Sequence, residues 1–223
     1  MQNHTGCGIY SIAQAAKLLR ISSNVLRHWI GEVPDREPVV SRAFADEHVL
    51  TFAELMELHF IKMFRDENVS LPAIRKAAKM AANKFRSAYP FTVKRFDTDG
   101  KTIFATLKSQ ETDRELVQDL QQGQLVFATV IRPFFKRLDY LPTDEIGMFW
   151  PLRTSAKKNG RIVLDPQRRY GQPIDDETGV PTSTITQALA AGDGQDVKTV
   201  ANWLDIPAEA VNAAIRFEKS LSL

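Results

Sequence analysis

The chain has 223 residues, 43% of them hydrophobic, which makes it a folded globular protein able to bury at least one sizeable core in one or two domains. Its 29 Lys and Arg against 27 Asp and Glu leave a net charge of +2, so bulk charge does not announce a nucleic-acid partner and any such partner has to be read locally. One cysteine, Cys7, excludes an internal disulfide framework and a structural zinc site of cysteines; with no signal-like N-terminus and no long apolar run, the expected location is cytoplasmic.

Ile12, Ala15, Ala16 and Leu19 have helical spacing, and Ser22-Ser23 supplies N-cap oxygens for a second helix through Ile30. Gly31 and Pro34 break that pattern, and Val33 to Phe44 reads as a short strand-and-loop wing. An amphipathic helix is predicted from Thr51 to Asp66, and another, capped by Ser70 with Pro72 in its first turn, from Leu71 to Phe85. Phe91 to Phe96 and Thr102 to Leu107 flank Asp97-Thr98-Asp99-Gly100, which predicts a β-hairpin. A helix from near Thr112 follows, with breaks at Gly123 and Pro133, reaching Leu138.

The last third reads as two strands, Met148 to Leu152 and Arg161 to Leu164, then three short helices over Thr182 to Ala191, Asp196 to Leu204 and Pro207 to Leu221. The expected fold is mainly α with small β hairpins: a winged helix-turn-helix over 1–86, a scaffold of helices plus hairpin over 87–147, and a trihelical, helix-turn-helix-like partner-binding domain over 148–223.

On the second helix, positions 23, 24, 27 and 28 share one face, because residues three and four apart are neighbours. Ser23, Asn24, Arg27 and His28 make that face polar, while Val25, Leu26, Trp29 and Ile30 make the opposite one apolar. Arg27 can fork onto guanine, Asn24 can pair with adenine or a phosphate, and Ser22 and Ser23 can meet phosphate at the helix N-terminus. In the wing, Arg36 and Arg42 are the natural phosphate contacts. Since one helix-turn-helix reads few bases, a homodimer on a palindromic operator is expected.

Tyr10-Ser11-Ile12-Ala13-Gln14-Ala15-Ala16-Lys17-Leu18-Leu19, Ile21-Ser22 and Val25-Leu26-Arg27-His28-Trp29 resemble the winged helix-turn-helix head of the MerR family, and Phe52 to Ala77 resembles the helix pair after its wing. That resemblance implies operator binding. The long C-terminal dimerisation helix common in that family has no counterpart here, so small-molecule sensing is not carried over.

The C-terminal third is polarised. Arg153, Lys157, Lys158, Arg161, Arg168 and Arg169 face only Asp165, while Asp175, Asp176, Glu177, Asp193, Asp196 and Asp205 face only Lys198. The last helix begins Pro207-Ala208-Glu209, with Arg216 near its end, so a protein partner suits it better than phosphate. Ile162-Val163-Leu164-Asp165-Pro166, Gly171-Gln172-Pro173 and Thr178-Gly179-Val180-Pro181 resemble the domain-of-unknown-function 433 family, itself similar to VapB-class antitoxins. A MerR-like head with this tail resembles the long antitoxins that partner a PIN-domain ribonuclease. The resemblance implies a protein that neutralises such a toxin and represses its own operon, with Arg153, Lys157, Lys158, Arg161, Arg168, Arg169 and, more weakly, Arg216 as toxin contacts.

Enzyme chemistry finds no support. His4, His28, His48 and His59 are not at zinc-ligand spacing, Cys7 has no base to activate it, no glycine loop cradles a phosphate, and Asp175-Asp176-Glu177 reads as a solvated loop. No cofactor is expected. The remaining alternative is a MerR-like regulator answering to a small ligand, its pocket lined by Phe134, Phe135, Tyr140, Phe149 and Trp150.

Overall fold

The computed structural model describes residues 8–34, 37–44, 47–152, 161–191 and 196–222. The chain divides into two compact units, Ser11–Ile146 and Gly147–Leu223 with Met1–Tyr10. The fold is mainly helical with small antiparallel sheets.

The strand β1 (Ile9–Ser11) leads into α1 (Ile12–Leu19) and α2 (Ser23–Trp29); β2 (Val49–Thr51) leads into α3 (Phe52–Asp66) and α4 (Leu71–Phe85). Local chemistry sets these boundaries. Thr51 and Glu54 form a reciprocal cap on α3, Thr51 N donating to Glu54 Oε2 at 2.6 Å and Glu54 N to Thr51 Oγ1 at 3.3 Å. Ser70 caps α4 through Ala73 N, and Pro72 sits in the first turn, where no intrahelical N–H partner is lost. Between Val33 and Phe44 the described residues form turns and bends rather than the expected strand; the wing is a loop.

The expected hairpin is overturned. Residues Phe96–Gln110 form a helix, α5, followed by α6 (Arg114–Val126), which Asp113 caps through Leu116 N at 2.9 Å. Phe96, Gly100, Ile103 and Phe104 are the buried positions of α5, a spacing of four, three and one that follows helical rather than strand periodicity. Asp97 and Asp99 lie in its first turn, where negative charge is favoured by the helix dipole. Gly100 serves packing: a Cβ there would lie 2.2 Å from Phe127 Cε2. Gly123 on α6 is its counterpart, its missing Cβ making room for Phe104 at 2.4 Å, so no break occurs at Gly123. Downstream, α6 widens into a π-helical turn, Phe127–Ile131, just before Pro133, a residue that cannot donate to an α-helical ladder. Short helical turns then lead to β3 (Leu138–Tyr140). Phe60, Phe64, Phe91, Phe96, Phe104 and Phe127 fill the centre of this unit, with Phe96 and Phe127 edge-on at 5.2 Å.

In the other unit β4 (Ile146–Leu152) pairs antiparallel with β5 (Ile162–Leu164), and β5 with β6 (Pro173–Asp175), in register Ile162↔Asp175 and Leu164↔Pro173. β6 was not expected from the sequence, because Gly171 and Pro173 punctuate it as a turn; it is an end strand, where a proline is tolerated. Three helices follow, α7 (Thr182–Ala191), α8 (Val197–Leu204) and α9 (Ala208–Ser220), around Ile185, Val200, Ile206, Ala210, Val211 and Ala214.

Candidate nucleic-acid interface

The α1–α2 helix pair is built from local rules. Ser11 Oγ accepts from Gln14 N at 3.2 Å while Gln14 Oε1 accepts from Ser11 N at 2.9 Å, which starts α1 at Ile12. Arg20, in the left-handed region at φ 52°, ends it, and Ser22 Oγ caps α2 through Val25 N at 3.2 Å. Ile12, Ala15, Ala16 and Leu19 of α1 and Leu26 and Trp29 of α2 are buried, as is Ile30 just beyond. Asn24, Arg27 and His28 are exposed, as is the N-cap Ser22, while Ser23 is half-buried, so the structure brings the polar residues together on an outer face. Val25, expected inside, is 40% exposed and extends that face with an apolar patch.

The wing begins as an extension of α2. Gly31 takes φ +77°, Glu32 N donates to Arg27 O at 3.0 Å, and Val39 N donates to Trp29 O at 2.8 Å. These bonds place Glu32 beside the exposed helix face. Its Oε2 receives Arg27 Nη1 at 2.5 Å, and its Oε1 meets Arg42 Nη1 at 3.2 Å and His48 Nδ1 at 2.9 Å. Burial alone would raise the Glu32 carboxyl, but the His48 hydrogen bond and the charges of Arg27 and Arg42 outweigh it and hold the group below the usual carboxylate range.

Arg42, expected as a phosphate contact, is placed otherwise. Its side chain is 5% exposed, and besides Glu32 it donates to Phe44 O and Val49 O, both at 3.2 Å, so it braces the wing from within. Arg36 lies outside the described residues. Glu32 was missed because an acid in a loop has no periodicity to mark it; only the fold brings its three partners, Arg27, Arg42 and His48, 5, 10 and 16 residues away, to one carboxylate.

In the C-terminal unit two of the expected contact arginines are engaged internally. Arg161 Nη2 meets Asp176 Oδ2 at 2.6 Å and lies over the Trp150 ring at 4.8 Å; Arg168 donates to Asp176 Oδ1 at 3.1 Å and to Asp176 O at 2.7 Å. The acidic run is therefore only in part the solvated loop it resembles: Glu177 is exposed, but Asp175 is fully buried and accepts from Thr178 N and Oγ1 at 3.0 and 2.9 Å. Arg169 and Arg216 are exposed. Arg153, Lys157 and Lys158 lie outside the described residues. Arg169 and Tyr170 both take positive φ, 49° and 57°, ahead of Gly171 at 79°. Tyr10 Oη donates to Gly171 O at 2.7 Å and occupies the space a Cβ there would need.

Residues 10–81 match the model of the MerR HTH family regulatory protein. The N-terminal region is a MerR-type helix-turn-helix. Over 206 residues the chain is 23% identical to a curated protein described as a candidate antitoxin, VapB45, of Mycobacterium tuberculosis (strain ATCC 25618 / H37Rv), covering 82% of this chain and 83% of that protein. The crystal structure of Rv2018 from Mycobacterium tuberculosis superposes with a TM-score of 0.72 at 17% identity, over 92% of this chain and 96% of that one, so the two share a fold.

The aromatic residues considered for a ligand pocket are packed instead. Phe134 stacks on His59 at 4.8 Å, Phe135 lies 5.4 Å from Phe60 and 6.3 Å from Tyr140, and Phe149 and Trp150 are 7% and 4% exposed. A cleft of about 380 Å³ lies elsewhere in the first unit, between the wing residues Glu37 to Ser41 and α4, where Arg75 Nη2 donates to Glu37 O at 2.6 Å. Among the described residues no group of three or more His, Cys, Asp and Glu could hold a metal ion, and no helix is long and apolar enough to cross a membrane.

Proposed function

We propose that this protein is the antitoxin of a type II toxin–antitoxin pair: a homodimer that binds operator DNA through α2 to repress its own operon, and that neutralises a PIN-domain ribonuclease through its C-terminal unit. The observation that carries the DNA half is the outer face of α2, where Asn24, Arg27 and His28 stand exposed above a capped N-terminus while Leu26 and Trp29 anchor the helix. A short rigid helix with a bidentate donor on its free face is what major-groove readout requires. Ser22, Ser23 and the N-terminal amides of α2 suit phosphate, and Arg27 suits guanine. The partner half is supported by the likeness to the VapB45 protein and by a C-terminal unit whose outward cations, Arg169 and Arg216, suit an acidic protein surface. A small-ligand regulator loses support, since Phe134, Phe135, Phe149 and Trp150, four of the five aromatic side chains it would need, are buried.

The test has two arms. On a fragment of its own promoter at low salt the chain should give a symmetrical footprint, and Arg27→Ala should cost about 1–3 kcal/mol concentrated at one base position. Co-expressed with the product of the adjacent gene, the chain should co-purify with it and suppress its ribonuclease activity. Promoter binding indistinguishable from random DNA would defeat the first half; a neighbour that neither binds nor cleaves RNA would defeat the second.

A further inference from the structure

Of the Arg27–Glu32 pair, the cation is the exposed member and the acid the enclosed one, with side chains 45% and 8% exposed. Both oxygens of the acid are committed: one to Arg27, the other to Arg42 and His48. Arg42 is in turn fixed by two wing carbonyls, and the backbone of Glu32 is fixed by its bond to Arg27 O and by the left-handed turn at Gly31. Glu32 is therefore a rigid post between the wing and the outer face of α2. A guanidinium carries five donors in a planar fork, and Glu32 occupies one nitrogen, leaving donors for the two acceptors on a guanine edge. An unrestrained arginine loses rotamer freedom on binding, so fixing it beforehand lowers the cost of forming those two bonds.

We infer that Glu32 is a specificity-determining positioning residue, which holds the Arg27 guanidinium in one orientation against the wing so that it reads a single base pair. The inference rests on α2 being the DNA-reading helix. Glu32 touches no base in this role; it acts through Arg27. It also opposes nonspecific binding, because an anion beside the reading face repels phosphate wherever Arg27 finds no base to reward its approach.

Binding of the full chain to its own promoter fragment, to single-base-pair variants of that fragment and to random DNA tests this directly. Arg27→Ala first identifies the base pair that Arg27 reads. Glu32→Gln should then lose about tenfold of the discrimination at that same base pair, while its affinity for random DNA stays level or rises. Glu32→Asp keeps the charge but withdraws the carboxylate by one methylene; it should lose discrimination without gaining on random DNA, which separates position from charge. Unchanged discrimination in both folded variants overturns the inference, as does tighter promoter binding with discrimination intact, which would make Glu32 a trap for Arg27. Should Arg27→Ala alter no base preference at all, the reading-helix assignment itself fails, and the two failures are told apart by that first measurement.

Discussion

Glu57, buried, and His59, half-buried, stand two residues apart on α3, and burial moves them in opposite directions. The Glu57 carboxyl accepts from Phe91 N at 3.0 Å and Thr92 N at 3.2 Å, yet burial outweighs these bonds and pushes it from an ordinary value of 4.5 up to about 8. His59, stacked on Phe134, is pushed from 6.5 down to about 3, by burial first and then by Arg137, Lys62 and Arg20. Between pH 4.5 and 8 the folded chain keeps a proton on Glu57 that the unfolded chain has released, so Glu57 makes stability fall as pH rises through that window. Between pH 6.5 and 3 the unfolded chain protonates an imidazole that the folded chain keeps neutral, so His59 makes stability fall as pH drops. The slopes oppose each other where the windows overlap, which predicts a plateau near pH 5 to 6 and a decline on both sides, the alkaline decline on the order of 2–4 kcal/mol. Glu57→Gln keeps an acceptor for the two amides but cannot ionise. Urea denaturation at pH 5.5 and 8.5 should show the wild-type loss abolished in the variant and replaced by a gain of about 1 kcal/mol from His59; an equal loss in both would assign the alkaline decline to other groups.

At the scale of elements, α5 and α6 cross through two glycine notches. Each notch admits a phenylalanine of the other segment: Gly100 faces Phe127, and Gly123 faces Phe104. Helix propensity favours alanine over glycine by about 1 kcal/mol, so on an exposed helix Gly→Ala would stabilise. Here the added methyl meets a buried ring, and the sign reverses. Gly100→Ala is expected to destabilise by about 1–3 kcal/mol net, read as a lower urea midpoint with an unchanged slope. A raised midpoint would show that Phe127 can swing away at no cost. The same residue explains the misread hairpin. Asp-Thr-Asp-Gly carries the chemistry of a turn, and the sequence alone cannot tell a glycine needed for positive φ from one needed for close packing. The caps at Ser22 and Ser70 were legible because a cap bonds two or three residues along the chain. The outer face of α2 was legible for the same reason, since helix geometry alone decides which side chains share a side. What could not be read was set by distant partners: Arg42 drawn inward by Glu32 and two carbonyls, Asp176 claimed by Arg161 and Arg168, and the wing without a strand.

At the scale of the molecule, the net charge of +2 is spread over many local pairs. Lys62 pairs with Asp66, Lys76 with Glu111, Lys84 with Asp99, and Arg161 and Arg168 with Asp176, so these cations are largely compensated where they stand. On the proposed reading, cations paired in this way add little to docking by charge, and affinity for an operator comes from a few phosphate contacts around α2 and from base readout. Each phosphate neutralised on duplex DNA contributes about −0.9 to the slope of log K against log salt. For the proposed dimer, with roughly two or three phosphate contacts per protomer, the slope on the promoter fragment should lie near −4 to −5. Arg27→Ala, if Arg27 reads a base, should lower affinity while leaving that slope nearly unchanged. A slope much steeper than about −8 would mean that an extended basic surface engages the backbone and that local pairing does not govern the interaction. A drop of about one in the slope for Arg27→Ala would place its guanidinium on a phosphate instead of a base edge.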